Sequence, residues 1–400
     1  MRYFIKILVL LLIFDLSQGV IINKIKITGN SHTDSSVILY IAQELKEEKE
    51  YTERELSCLA IRIEERLINT GWFYNAKVYV APSSKGEDYR NVVIEVEEGF
   101  LYRFYGGNAY GGFGMDSVSG KGGGYRIELG YNRQLLRLEK LFPLLYTKIK
   151  GNLGNLNTTI YSNDNKEINI QSVGIKSDVF YFLNPDFAFY LGGEYRKNFD
   201  ISYNYLFDSY YPEAGIVLDK RNKKFSPSKG YYLDLNYRYL SFSYHRFGID
   251  GSFFVGLIEN LTFATRLIFI TEDVNVPYLN NPTLRRTAVR LNVGIDGVRA
   301  NYSDSIGTSL VQANFEIRWQ FYTIKLFSMI NTIFEFTAFL DAGKAFGDFE
   351  KIKEFENYAI ATGLGLRIFF DNPVFLPVRL EAGFDKNFKL AFYFDVSYPF

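Results

Sequence analysis

Residue types that commonly carry catalysis or bind metal ions are scarce in this chain. Its 400 residues include one cysteine, Cys58, and two histidines, His32 and His245. No CxxC or HxxxH spacing is present, which excludes a Cys/His zinc site, and a single cysteine excludes an intrachain disulfide. His245 lies among strand aromatics with no nucleophile motif nearby, and Glu97 and Glu98 fit the end of a strand. We therefore predict no catalytic residue, no metal site and no cofactor.

The charged and aromatic residues indicate a different kind of protein. Lys and Arg number 45, as do Asp and Glu, so a formal charge of zero gives no support for capture of nucleic acid. Aromatic residues make up 18% of the chain, with 31 Tyr and 37 Phe, which argues against a disordered chain. Such a composition suits many strands that are apolar on one side.

Residues 1–19 are typical of a secretory signal peptide. A positive start is followed by the apolar run 7–14 and by small residues near the expected cleavage site, Ser17 and Gly19. The apolar run is too short for a membrane-spanning helix, which needs about 20 apolar residues. No other apolar stretch reaches that length. An exported chain of this kind that enters a membrane must therefore cross it as a closed barrel.

Residues 20–99 predict a small domain in the order β-α-α-β-β. Its second helix begins at Thr52 with Glu55 three residues on, which is a capping box, and ends at Gly71. Cys58 lies in this helix, and we interpret it as a small packed residue rather than a reactive thiol.

Residues 100–400 show repeated period-2 alternation and no long amphipathic helix. In 311–321 one face carries Val311, Ala313, Phe315, Ile317, Trp319 and Phe321, and the other carries Gln312, Asn314, Glu316, Arg318 and Gln320. A soluble β-sandwich alternates in the same way. Strand lengths of about 9–12 residues, aromatic residues near strand ends and the predicted export favour a membrane barrel.

The alternation predicts about 16 antiparallel strands, an even number as in bacterial barrels. The candidates lie near 102–110, 123–133, 144–152, 155–161, 169–180, 187–196, 199–207, 213–220, 230–240, 243–256, 260–271, 310–321, 332–341, 359–370, 376–385 and 389–399. Between the eleventh and twelfth we place a long loop, 272–309, which includes the alternating segment 286–296. A loop of this length is either functional or disordered.

The N-terminal segment resembles a POTRA (polypeptide-transport-associated) domain. The resemblance is carried by IxKIxITGN at 22–30, RLINTGWF at 66–73 and VIEVEEG at 93–99. It implies a periplasmic domain that binds unfolded client chains by adding a strand to its sheet edge. The alternative is that the domain only plugs or orients the barrel.

The C-terminal segment resembles the bacterial surface antigen barrel of the outer-membrane insertase superfamily, which includes the BamA and TamA proteins and the two-partner secretion transporters. Four motifs occur in the family's order: LDKRNKKFSPSKG at 218–230, GVRANYSDSIGT at 297–308 followed by QANFEIR, FLDAG at 339–343, and the terminal FYFDVSYPF. The first is the strand–turn–strand motif, with Asp219, Arg221, Pro227 and Gly230.

The resemblance implies that an arginine of the long loop reaches into the barrel and pairs with acids on the wall. Carried over, Arg299, preceded by Val298, meets Asp341 with Glu316 nearby. The alternation independently places Glu316 on the polar face, and a guanidinium makes two bonds to one carboxylate. We predict that these four residues lock the loop in the barrel. The alternative is that Arg299 is one of many lumen arginines. At Ala300 and the next residue the chain departs from the family's Gly-aromatic pair.

The last strand presents an apolar side to lipid, formed with Leu390 by Phe392, Phe394, Val396, Tyr398 and Phe400. In the family this pattern is the assembly signal and forms a seam with the first strand. The first strand is followed by glycines, which weaken strand interiors. We predict that this seam opens.

These features predict a protein of the bacterial outer membrane with its POTRA domain in the periplasm. The leading interpretation is a BamA/TamA-type assembly or translocation factor, not an enzyme, that helps β-rich clients insert into or cross the membrane. Expected partners are unfolded outer-membrane or secreted clients, outer-membrane lipids and accessory lipoproteins, and not nucleic acid. The alternatives are a dedicated secretion transporter for one partner, whose relatives usually carry two POTRA domains, and a passive pore or structural surface protein.

Overall fold

The computed structural model has two compact units, Met1–Gly99 and Phe100–Phe400. The described residues are 19–99, 102–107, 110–115, 120–121, 123–130, 133–142, 147–162, 167–199, 205–223, 226–240, 244–272, 284–285, 289–291, 297–299, 306–326, 330–347, 352–354, 357–370 and 376–396. The predicted signal peptide therefore lies outside the described residues except for Gly19, which begins the first strand.

The N-terminal unit packs two helices on a four-stranded sheet. Its elements are β1 (Gly19–Thr28), α1 (Ser35–Ile41), β2 (Glu50–Thr52), α2 (Glu53–Asn69), β3 (Phe73–Pro82) and β4 (Tyr89–Glu98). The sheet order is β2-β1-β4-β3, with β1 and β4 parallel. The predicted β-α-α-β-β order is present, with the three-residue β2 as an addition too short for an alternation pattern. Ile22, Ile63, Leu67 and Ile94 form its fully buried centre.

Helix α2 follows from its local sequence. Thr52 and Glu55 form the predicted capping box, and Gly71 takes φ +75° just after the helix. Its buried side chains include Leu56, Ile63 and Leu67. The interpretation of Cys58 as a packed residue was wrong, because Cys58 is exposed. Two positions beyond Leu56, it is rotated by roughly 200° from that buried stripe.

Two of the domain's sequence motifs meet at one end of its sheet. Gly29 has φ +85°, and a Cβ there would lie 1.9 Å from the Val96 carbonyl oxygen, so only glycine fits. The Glu98 carboxylate accepts hydrogen bonds from the Ser31 hydroxyl and from the backbone N–H groups of residues 31–33. Burial favours a raised pKa for Glu98, but these bonds outweigh it and lower the pKa below its usual value.

The C-terminal unit is a closed antiparallel barrel of sixteen long strands, eleven before the long loop and five after it. The first eleven are β5 (Tyr102–Gly107), β6 (Tyr110–Met115), β7 (Gly124–Gly130), β8 (Arg133–Phe142), β9 (Thr147–Ser162), β10 (Glu167–Asn184), β11 (Phe187–Phe199), β12 (Tyr205–Asp219), β13 (Gly230–Leu240), β14 (Tyr244–Ile258) and β15 (Leu261–Glu272). The loop contains the two-residue strands β16 (Leu284–Arg285), β17 (Val289–Arg290) and β18 (Ile306–Gly307). The last five are β19 (Ser309–Leu326), β20 (Ile330–Phe346), β21 (Ala359–Phe370), β22 (Leu376–Asp385) and β23 (Leu390–Val396).

The predicted number of strands is confirmed, but the predicted bounds of several early strands are wrong. The candidate 102–110 spans the β5–β6 hairpin, 144–152 and 155–161 are the single strand β9, 199–207 straddles the connection between β11 and β12, and β8 was missed. Within β9, the local sequence favours a turn at Gly151, Asn152, Gly154 and Asn155. In the barrel the flanking strands β8 and β10 pair with these residues and keep them extended.

The barrel turns its apolar side chains outward. On β19, Phe315, Ile317 and Trp319 are 37%, 48% and 53% exposed, whereas Glu316 and Arg318 are each 1% exposed. A sandwich would bury the apolar set instead, so this arrangement is that of a membrane barrel with a polar interior. Neither helix in the described part of the chain is long and apolar enough to cross a bilayer.

The Glu98 contacts predict an acid-sensitive N-terminal domain. A carboxylate with a lowered folded pKa stabilises the fold above its unfolded pKa of about 4.3, and this stability is lost as pH falls through the folded pKa. Glu98→Gln should cost about 1 kcal/mol at neutral pH and flatten the acid dependence. Limited proteolysis of the domain in the full chain, from pH 7 to pH 3.5, measures this. Glu97→Gln, an exposed neighbour, is the control, and equal behaviour of the two variants would contradict the prediction.

Candidate functional site

A cluster of charged side chains fills the barrel lumen against strands β19–β22. We call it the lumen cluster; each member is at most 2% exposed, and it comprises Arg299, Glu316, Arg318, Glu335, Asp341, Arg367, Arg379 and Glu381. Four arginines thus face four carboxylates. Buried charges are tolerated in proteins when they are paired in this way.

Arg299 extends from the long loop into the cluster, and all three nitrogens of its guanidinium donate hydrogen bonds. Its Nε and Nη2 donate to the two carboxylate oxygens of Asp341 at 2.7 Å each, and its backbone N–H donates to Asp341 at 3.1 Å. Its Nη1 donates to Glu316 at 2.8 Å and to Glu381 at 2.9 Å. Three strands therefore hold one loop side chain, and each bond is charge-assisted.

Three arginines on the barrel wall donate hydrogen bonds to Glu316 and Glu381, which also accept from Arg299. Arg367 donates to Glu316 and to Glu381 at 2.8 Å each, and Arg318 Nε donates to Glu316 at 2.7 Å. Arg379 donates to Glu381 at 3.2 Å. Glu316 and Glu381 are therefore each held by wall arginines as well as by Arg299.

The FLDAG segment supplies three different contacts from one face of β20, because alternate residues of a strand point the same way. The Phe339 ring lies 3.6 Å below the Arg299 guanidinium, and Asp341 makes the bidentate pair. A Cβ on Gly343 would lie 2.6 Å from Leu291 Cδ1 and 3.0 Å from Val298 Cγ2, so glycine makes room for the loop. Phe339 and Asp341 of this motif therefore contact Arg299, and Gly343 leaves space for Leu291 and Val298.

Val298 anchors the loop through apolar contact. It is fully buried in a small cluster inside the barrel with Leu291, Leu310, Ala345, Ala359, Ala361 and Ala391. Asn314 ties the backbone beside it by donating to the Gly297 carbonyl oxygen at 2.7 Å. The loop is therefore held by an apolar contact and by ion pairs at adjacent residues.

The structure brings together all four predicted lock residues, Val298, Arg299, Glu316 and Asp341. Sequence reasoning missed Glu381, Arg367 and Phe339 as contacts of this group. Glu381 belongs to the alternating segment 378–385, so its lumen direction was readable from the sequence, while its meeting with Arg299 depends on strand register. Ala300 and the following residue lie outside the described residues.

The predicted strand–turn motif forms a separate structure between β12 and β13. Arg221 makes a bidentate pair with Asp219, at 2.8 and 2.7 Å, and Pro227 is buried. Gly230 has φ +98°, and a Cβ there would lie 2.0 Å from the Lys220 carbonyl oxygen. The turn approaches the lumen wall where Gln320 Nε2 donates to Ser226 Oγ at 3.3 Å.

The last strand pairs with the first and so closes the barrel. Among the described residues the pairs are Asp395 with Gly107 and Val396 with Gly106, and the positions that follow Val396 lie outside the described residues. Phe392 and Phe394 point outward, with 72% and 46% exposure. The other predicted terminal residues, Tyr398 and Phe400, lie outside the described residues.

Arg299→Ala tests the lock. Removing one partner of a buried ion pair costs about 3–5 kcal/mol, because Asp341 then stays buried without its arginine. We expect faster protease cleavage in the long loop and a lower temperature for loss of the folded barrel band in gel electrophoresis. The matched control is Arg266→Ala, which removes a bidentate pair with Asp250 that is partly exposed and does not involve the loop. Equal effects of the two substitutions would refute the lock.

Comparison with known proteins agrees with this architecture. Residues 20–99 match the POTRA family model described as "Surface antigen variable number repeat", and residues 118–400 match the Omp85 superfamily domain. No curated protein sequence matches the chain significantly.

Two solved structures of CdiB show the same fold at low sequence identity, and a BamA structure is a weaker match. CdiB from Escherichia coli is 12% identical with a TM-score of 0.62, covering 95% of this chain and 76% of its own. CdiB from Acinetobacter baumannii is 13% identical with a TM-score of 0.57, covering 95% and 74%. BamA from Haemophilus ducreyi lacking POTRA domains 1–3 is 13% identical with a TM-score of 0.48, covering 94% and 84%. Since the family model covers more than half of the chain, the protein belongs to the Omp85 superfamily of outer-membrane β-barrel proteins.

Proposed function

We propose that this protein is a non-enzymatic outer-membrane assembly or translocation factor of the BamA/TamA type, which helps β-rich client proteins insert into or cross the membrane. The observation that carries the proposal is the seam where β23, the last strand, pairs with β5, the first strand, because this pairing closes the barrel. In lipid, every unpaired backbone group costs several kcal/mol, so a client strand needs a pairing edge as it enters. We propose that this seam opens and offers that edge.

The lumen cluster supports a lateral route for the client. Arg299 and Val298 hold the long loop inside the barrel, against the wall formed by β19–β22. A passive wide pore would not need a loop held by paired buried charges. The client therefore passes beside the loop at the seam, and the outward apolar side chains face outer-membrane lipids.

The N-terminal domain offers a second edge for a client segment. β2 pairs only with residues 19–21 of β1, so the rest of this side of β1 has no strand beside it among the described residues. On the β1 side the Ile22 backbone also bonds residues 48 and 49, and the Ile25 N–H donates to Glu47 at 2.9 Å, so the stretch of β1 without a described partner on that side begins after Ile25. At the opposite edge of the sheet, Glu64 accepts a hydrogen bond from the Val78 N–H at 2.6 Å. We propose that unfolded clients add a strand on the β1 side.

Strand parity supports the proposed orientation. The sixteen strands alternate in direction, so the β12–β13 turn lies at the barrel end where β5 begins and β23 ends, and the long loop enters from the other end. We propose that the first end faces the periplasm, with the POTRA domain on that side. We propose accessory lipoproteins as further partners there.

Depletion of the protein, followed by quantitation of the outer-membrane proteome, tests the proposed function. A general assembly factor predicts that many barrel proteins fall together, because all of them need a pairing edge during insertion. Loss of one protein would instead identify a dedicated secretion transporter, which would use the same plugged barrel. An unchanged proteome and secretome would contradict both functions.

A disulfide across the seam tests whether it opens. In a Cys58→Ser background, Gly106→Cys with Val396→Cys joins a pair on the β5–β23 ladder. We expect oxidation to stop client assembly and a reductant to restore it. The matched control, Leu364→Cys with Ala382→Cys, crosslinks β21 to β22 outside the lumen cluster and should leave assembly intact. Full activity of the oxidised seam variant would rule out an opening seam.

A further inference from the structure

Strand β19 runs past its neighbour at one end of the barrel. Its pairing with β15 ends at Trp319, opposite Leu261, while its pairing with β20 continues to Leu326, opposite Ile330. We call residues 320–326 the β19 overhang. On the side of β15, the one backbone bond it makes among the described residues is from the Gln320 N–H to the Asn260 carbonyl oxygen, at 2.9 Å.

The overhang is therefore an unpaired sheet edge in the described part of the barrel. In an antiparallel ladder, alternate residues direct their N–H and C=O groups away from the partner strand. Seven residues span about 23 Å, which is room for a typical short strand. An edge of this kind is a template for another extended chain.

Aromatic side chains place the overhang at a membrane boundary. Trp319 and Phe321 lie 5.7 Å apart, and Phe334 packs against Phe321 at 6.3 Å and against Tyr322 at 6.0 Å, measured between ring centroids. Such outward aromatic groups mark the interface between lipid and water in barrels. The following residues, Thr323 and Lys325, are polar and exposed. The edge thus starts at the membrane surface and continues on the aqueous side.

The barrel already accepts strand addition at a comparable place. Among the described residues β8 pairs with β9 as far as Leu156, and the last residues of β9 extend beyond this point. There the two-residue strand β16 of the long loop pairs with Tyr161 and Ser162. That edge lies at the opposite end of the barrel, and the chain itself covers it. The β19 overhang has no such cover among the described residues.

We propose that the β19 overhang docks an extended segment of a client polypeptide by strand addition, at the barrel end that we assign to the periplasm. The segment recognised has about six residues, an apolar side that meets Phe321 and Tyr322, and free backbone amides. The docking edge rests on the proposed assembly function and adds a place where a client pairs before it reaches the seam.

Photo-crosslinking in the full-length protein tests this docking. p-Benzoylphenylalanine is placed at Thr323 on the open edge or, as the control, at Ile333, its cross-strand partner, which β21 covers on its far side. The probe is a biotinylated peptide with the sequence of residues 390–400, LAFYFDVSYPF. A second peptide carries N-methyl groups on alternate amides, which removes backbone pairing and keeps every side chain.

We expect a crosslink yield at least tenfold higher at Thr323 than at Ile333, and its loss with the N-methylated peptide. No crosslink at Thr323, equal yields at the two positions, or an unchanged yield with the N-methylated peptide overturns the proposal. The proteome experiment is independent of this outcome. A broad loss of barrel proteins without a crosslink would remove the docking edge and leave the assembly function in place.

Discussion

Paired charge in an enclosed space is the constraint on which the barrel interior depends. Arg299, Arg318, Arg367 and Arg379 are at most 1% exposed, and each is matched by carboxylates. Arg299 and Arg367 bond Glu316 from other parts of the barrel, and Arg318 and Arg379 bond the glutamate two residues away on their own strands. A buried charge without a partner would cost far more than any single packing contact supplies. The loop can therefore leave the lumen only if the carboxylates of the wall find another cation. This makes the closed arrangement specific as well as stable.

The lumen cluster also links the two ends of the barrel. From the β12–β13 turn, Ser226 contacts Gln320, Gln320 contacts Glu335 at 3.4 Å, and Glu335 lies 3.5 Å from Arg367. Arg367 shares Glu316 with Arg299 of the long loop, which enters from the opposite end. The two motifs, which begin at residues 218 and 297, are thus joined through side chains of β19, β20 and β21. The β12–β13 turn at one end and the long loop at the other are therefore both connected to carboxylates that contact Arg367.

The sequence predicts which way a side chain points much better than what it meets. Period-2 alternation gave the lumen direction of Glu316 and Arg318 because the pleat leaves no other choice. The contact of Glu381 with Arg299 depends on the register of four strands and on the path of a loop, and neither is local in sequence. The early strands failed for a related reason. Gly154 and Asn155 favour a turn by themselves, and only pairing with β8 and β10 keeps β9 extended.

The lumen cluster lies beside the seam between the last and first strands. It joins β19, β20, β21 and β22 to one another, and one of its arginines, Arg379, lies 3.9 Å from Asp395 of β23. Ala391 of β23 also packs in the apolar cluster around Val298. If the seam opens as we propose, β22 stays fixed by Glu381 and Arg379, so the cluster forms a firm wall beside the strands that separate.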